Sequence, residues 1–127
     1  MILSFLLKKL KNKPDYEVLL SELREEITRD LEKANAKYEG KFLKITGTQR
    51  ETMAIDKEYV LFGLMDRPKD AKAPALFTEC KLPYSQNEKA MALDFGAIAV
   101  LYGIYGKTIR DSNGNFELTL DKCNLDK

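Results

Sequence analysis

Histidine is absent from this 127-residue chain. The absence removes the commonest general acid–base and the commonest nitrogen ligand for metals. Cysteine is nearly absent: Cys80 and Cys123 are too few and too widely spaced for a zinc signature. No stretch reaches the ~20 apolar residues of a membrane-spanning helix. Residues 1–7 are apolar, but their lysines follow rather than precede them and no small-residue cleavage site comes after, an order unlike a secretory signal. There is no G-x-S-x-G, no phosphate-cradling glycine loop and no Cys/His dyad. Repeats and low-complexity tracts are missing too. The carboxylate pairs Asp66/Asp70 and Asp111/Glu117 fall in or beside turns, where Asp is favoured for bonding backbone amides. The expectation is a protein that is not an enzyme and uses no cofactor and no metal.

What is present is charge, unevenly spread. The formal net charge is +1. Residues 1–13 carry Lys8, Lys9, Lys11 and Lys13 and no acid. Residues 14–40 carry eight acids against four bases, and residues 41–127 thirteen bases against twelve acids. The C-terminal part is therefore not broadly basic, which counts against strong non-specific binding to nucleic acid through phosphate neutralisation.

The length suits one folded unit with a real core, divided here into a helical extension, 1–37, and a β-rich part, 38–127. In residues 1–13, Leu3, Leu6, Leu7 and Leu10 share one helical face beside the lysines, predicting a basic amphipathic helix that covers the β-rich part, docks on a partner or lies on an anionic membrane. Pro14 and Asp15 suit a helix start. Tyr16, Leu19, Leu20, Leu23, Ile27, Leu31 and Ala34 then recur at helical spacing, predicting one acidic amphipathic helix over 14–37, with Glu25 and Arg29 placed as an i,i+4 pair. Gly40 reads as its stop.

Five strands follow. Residues 41–46 are rich in β-branched and aromatic side chains, and Gly47 marks a bend. Residues 49–54 read as a loop, 55–65 as a strand, 67–74 as a polar loop with two prolines and 75–82 as the third strand. Ser85-Gln86-Asn87-Glu88 fits a capping box, so a short helix is predicted to about residue 93 with Met91 and Leu93 inward. Residues 97–105 form the fourth strand, apolar on both faces, so its outer face (Ile98, Val100, Tyr102, Ile104) needs a cover. Residues 111–115, D-S-N-G-N, form a hairpin turn. Phe116–Leu125 is the fifth strand, with Phe116, Leu118 and Leu120 inward and Glu117, Thr119 and Asp121 outward.

Residues 38–48, Y-E-G-K-F-L-K-I-T-G-T, resemble the first strand of the bacterial tRNA-anticodon-binding-like OB-fold family. The L-F-T-E-C at 76–80, the G-x-x-[apolar]-x-[apolar]-x-G at 96–103 and the L-x-L-x-x-C at 118–123 resemble its later strands, in the right order. The family is largely uncharacterised, so the likeness implies a fold before an activity. That fold is mainly β with α: a five-stranded OB barrel carrying the N-terminal helical extension and a short helix between strands three and four. In such a barrel strands three and five are neighbours, which would bring Cys80 and Cys123 close, either as buried apolar residues or, in an oxidising compartment, as a disulfide. Relatives are often exported or lipid-anchored. This chain has no lipobox cysteine, and the expectation is a cytoplasmic protein, membrane-peripheral at most.

OB barrels bind oligonucleotides or oligosaccharides across strands two and three. The residues that could serve are Tyr59, Phe62, Phe77 and Tyr84 for stacking, with Arg50, Lys57, Arg67, Lys69, Lys72 and Lys81 for phosphates. Interleaved acids weaken that field, and the aromatics could equally be core. Two partners follow from these features: single-stranded nucleic acid, or, in an adaptor role, a protein partner, a second copy or a membrane surface met by residues 1–13 and the fourth strand.

Overall fold

The computed structural model describes residues 13–55 and 57–125. The described residues are mostly β, with three α-helices. Residues 1–12, and with them the expected basic helix, lie outside the described residues.

The expected helix over 14–37 is three elements. Tyr16–Leu19 is a strand, β1, parallel to Leu43–Thr46. Asp15 locks this entry: its N–H donates to the Phe42 carbonyl at 2.7 Å, and its carboxylate accepts from the Phe42 N–H at 2.8 Å. Helix α1, Leu20–Arg29, starts where the Glu22 carboxylate accepts from the Leu19 N–H, and it buries Leu20, Leu23 and Ile27. Helix α2, Leu31–Tyr38, restarts because Asp30, in extended backbone, caps the Lys33 N–H. Of the apolar stripe, Leu20, Leu23, Ile27 and Ala34 are buried and Tyr16 and Leu31 partly so, but Leu19 is exposed, and a periodic stripe does not show a break that a side-chain cap imposes. Glu25 and Arg29 form no ion pair among the described residues; Arg24 instead bonds Asp66 at 2.6 Å and Lys37 bonds Glu26 at 3.2 Å. Gly40, at φ +80°, ends α2 in the left-handed conformation, as expected.

Strand β2 runs Phe42–Ile55 through the expected loop at 49–54. Its register shifts between Gln49 and Thr52, so the strand bends and serves two neighbours. The first half pairs antiparallel with β5, Ile98–Arg110, and the second with β3, Tyr59–Asp66. Gly47 serves close packing: a Cβ there would meet the Leu20 side chain at 3.0 Å. Strand β4, Leu76–Pro83, is antiparallel to β3 and parallel to β6, Phe116–Leu125, which is antiparallel to β5. The pairings β2–β3–β4–β6–β5–β2 close a ring of five strands, and β1 extends it at β2. One core fills the ring, including Leu43, Ile45, Phe62, Leu64, Leu101 and Tyr105, and the helices add to it.

A 3₁₀ turn, Tyr84–Gln86, and α3, Asn87–Met91, connect β4 to β5. The expected capping box is not formed: Ser85 lies inside the 3₁₀ turn, and Gln86 precedes the helix without a side-chain cap. Gln86 instead holds the end of β6, donating to Asn124 and accepting from the Leu125 N–H. Ala90 is the buried residue of α3; Met91 faces solvent, against expectation, while Leu93 packs on the core. Strand β5 extends beyond the expected residue 105. Past Ile104 it loses β2 as a neighbour, and Asn35 of α2 substitutes for a strand. The Asn35 amide accepts from the Thr108 N–H at 3.0 Å and donates to the Thr108 carbonyl at 3.0 Å, while the Tyr105 hydroxyl donates to Asn35 Oδ1 at 2.7 Å. On the outer face of β5, Ile98 is 76% exposed and no described residue covers it. The turn at 111–115 closes on the Asp111 carboxylate, which accepts from the Asn113 and Asn115 N–H groups.

Candidate functional site

The β3–β4 register decides which side chains share a face. Met65 lies opposite Phe77, Gly63 opposite Glu79, Leu61 opposite Lys81 and Tyr59 opposite Pro83. Since side chains alternate along a strand, these eight positions point outward. Val60, Phe62 and Leu64 point into the ring and are fully buried. Phe62 is therefore a core residue and not a surface for bases, a correction to the sequence reading.

Arg50 leaves the bulged part of β2 and lies across Gly63. A Cβ on Gly63 would meet Arg50 Cβ at 3.4 Å and Cδ at 3.7 Å, and the Thr78 carbonyl at 3.1 Å, so only glycine leaves this trough open. The Arg50 guanidinium reaches the Phe77 ring, 4.5 Å from its centroid, and Arg67 approaches the same ring at 5.5 Å. Such cation–ring contacts hold the cation electrostatically on the negative face of the aromatic. Phe77 is left 7% exposed beneath the two arginines. At the other end of the face, Lys81 lies over the Tyr59 ring at 4.7 Å.

The structure thus brings Arg50, Arg67 and Phe77 together, and Tyr59 with Lys81. It separates the rest. Lys57 sits exposed in the β2–β3 turn at φ +61°, and Lys69 and Lys72 are exposed on the β3–β4 loop. There Asp70 accepts from the Lys72 N–H, a turn role. Tyr84 is half-buried against the core.

Beyond the Glu79–Thr119 pair the β4–β6 ladder ends. A groove of about 690 Å³ opens there, lined by Arg50, Leu61, Glu79, Lys81, Glu117 and Lys122 among others. Its β6 side went unnoticed in the sequence reading of the site. The signal existed: if Phe116, Leu118 and Leu120 face inward, Glu117 faces outward. Which strand lies beside it was the missing fact. Burial pushes the Glu117 carboxyl above its usual range, and the Arg50 charge opposes that shift. Arg50, Lys81 and Lys122 face Glu79, Glu117 and Asp121, so the groove is near neutrality.

Cys80 and Cys123 are both buried free thiols, and Cys80 lines this groove. Cys80 donates to the Phe62 carbonyl at 3.6 Å, and its sulfur, together with burial, holds the Cys123 thiol far above the usual range. Among the described residues no group of three or more Cys, Asp or Glu side chains could hold a metal ion, and no helix is long and apolar enough to cross a membrane.

No family model matches the chain, and no curated protein does. Solved structures do. A provisionally named nucleic-acid-binding lipoprotein of Klebsiella pneumoniae superposes with a TM-score of 0.59 at 19% identity, covering 87% of this chain and 91% of that one. A provisionally named aspartyl-tRNA synthetase of Leishmania major gives 0.51 at 14% identity, covering 86% of this chain and 20% of that one. The fold is OB-fold-like.

Proposed function

We propose that the five-strand ring is an OB-type barrel, akin to the tRNA-anticodon-binding-like proteins, and that the chain is a non-catalytic module binding single-stranded nucleic acid across β3, β4 and the β4–β6 groove. The observation that carries this reading is the face itself: two arginines seated on Phe77 at one end and a lysine on Tyr59 at the other. Guanidinium planes and aromatic rings are the surfaces on which unpaired bases stack, and the cations beside them meet phosphates. Loop residues Lys57, Lys69 and Lys72 flank the face and would track the backbone. The name of the Klebsiella neighbour agrees with this reading. With acids interleaved among these cations, phosphate contacts are few and the salt dependence is shallow.

Fluorescence anisotropy with labelled dT and mixed-sequence RNA 12-mers tests the proposal. Binding is expected at low salt, weakened at least several-fold by Arg67→Glu and by Lys81→Glu. Absence of binding at low salt, or affinities untouched by both reversals, sinks it.

A further inference from the structure

We propose that the β4–β6 groove selects guanine, with Arg50 and Glu117 as the specificity-determining pair; this rests on the nucleic-acid reading above. Arg50 is pre-positioned. Gly63 gives its stem a trough, Phe77 holds its guanidinium plane, and it has no ion-pair partner among the described residues, so its N–H edge is open to the groove. A phosphate is a poor match for this place, because Glu79, Glu117 and Asp121 line the same groove and repel it. A neutral base that offers acceptors to the cation and donors to a carboxylate fits both signs at once. Guanine does so with two-atom edges on each side: O6 and N7 match the guanidinium fork, and N1–H and N2–H match the two oxygens of a carboxylate. Thymine has one ring donor between two carbonyls and offers no pair of adjacent acceptors. Glu117 is the carboxylate chosen because it stands opposite Phe77 in the β4–β6 ladder, beside the ring that carries the Arg50 guanidinium, and lines the same groove.

The experiment compares a dT 12-mer with the same strand carrying one central dG, and with 7-deaza-dG in that place, on the full chain. A single dG should tighten binding by roughly 5- to 150-fold, the range of one bidentate base contact. 7-Deaza-dG should lose most of the gain, since it lacks the N7 acceptor. Glu117→Gln removes the carboxylate and should abolish the dG preference while dT binding persists; Arg50→Lys keeps the charge without the fork and should abolish the preference as well, together with a loss of affinity shared by the dG and dT strands. Equal affinity for dG and dT strands overturns the inference and leaves the nucleic-acid reading standing. Failure to bind any strand overturns both. Guanosine monophosphate is the remaining arm: if it competes as well as the dG strand, the guanine site stands but its ligand is a free nucleotide, and the strand reading falls.

Discussion

Replacing Asn35 with alanine should loosen the junction between α2 and the far end of β5. The Asn35 amide pairs with both backbone groups of Thr108, where β2 no longer reaches, and accepts from Tyr105. Alanine leaves a part-buried N–H and a part-buried C=O without partners. The Tyr105 hydroxyl keeps its contact with the Thr108 side chain, 2.6 Å away, and adds little to the loss. At about 1–3 kcal/mol per unsatisfied buried group, and with water reaching the site in part, the cost is about 2–3 kcal/mol. Urea unfolding followed by far-UV circular dichroism measures it. With a urea slope of about 1–3 kcal/mol/M for a small domain, the midpoint should fall by about 1–2 M. Asn35→Asp keeps the acceptor for the Thr108 N–H but sets a carboxylate oxygen against the Thr108 carbonyl, and should also destabilise. Lys33→Ala, two residues away and exposed, should stay within about 0.5 kcal/mol of the parent. A loss below about 0.5 kcal/mol for Asn35→Ala would refute the view that this amide replaces a strand.

The Tyr105 hydroxyl is pushed up to about 12, chiefly by burial. A folded value above the unfolded one makes stability level below pH 10 and lost as pH rises from about 10 to 12, by on the order of 2–3 kcal/mol; Tyr105→Phe should flatten that loss in urea titrations across the window, and an unchanged decline would contradict it. Phe62→Ala, at a fully buried ring, should cost about 3–5 kcal/mol. Tyr59→Ala, on the outer face, should change stability by less than about 1 kcal/mol yet weaken oligonucleotide binding; thermal melts and anisotropy on both variants separate core from surface. Gly63→Ala should cost about 1–3 kcal/mol, because its Cβ meets the Thr78 carbonyl at 3.1 Å and a ladder carbonyl cannot retreat; a stability equal to the parent's would show that the trough yields.

The elements legible in the chain are those governed by local chemistry. Gly40 adopts the left-handed conformation that ends α2, Asp111 and Gly114 make the last turn, and the strict alternation of Phe116, Leu118 and Leu120 shows the inward face of β6. Each depends on backbone freedom, a side-chain cap or a period of two, all contained within a few residues. The order of family-like strands also foretold a ring, and the fold is OB-fold-like. Tertiary structure alone decided the rest. Tyr16–Leu19 has a helical stripe but becomes β1 because Asp15 and Phe42 exchange hydrogen bonds across 27 residues. Residues 49–54 remain strand because β3 supplies partners past the bulge. Residues 59–64 are continuously apolar, so only the pairing with β4 shows that Phe62 points inward and Tyr59 outward. Arg50, Phe77 and Glu117 come from three strands, and β6 lies beside β4 through a parallel pairing of segments 40 residues apart. No local pattern encodes such a pairing: it is fixed when the ring closes around one core, and the candidate site is built on it.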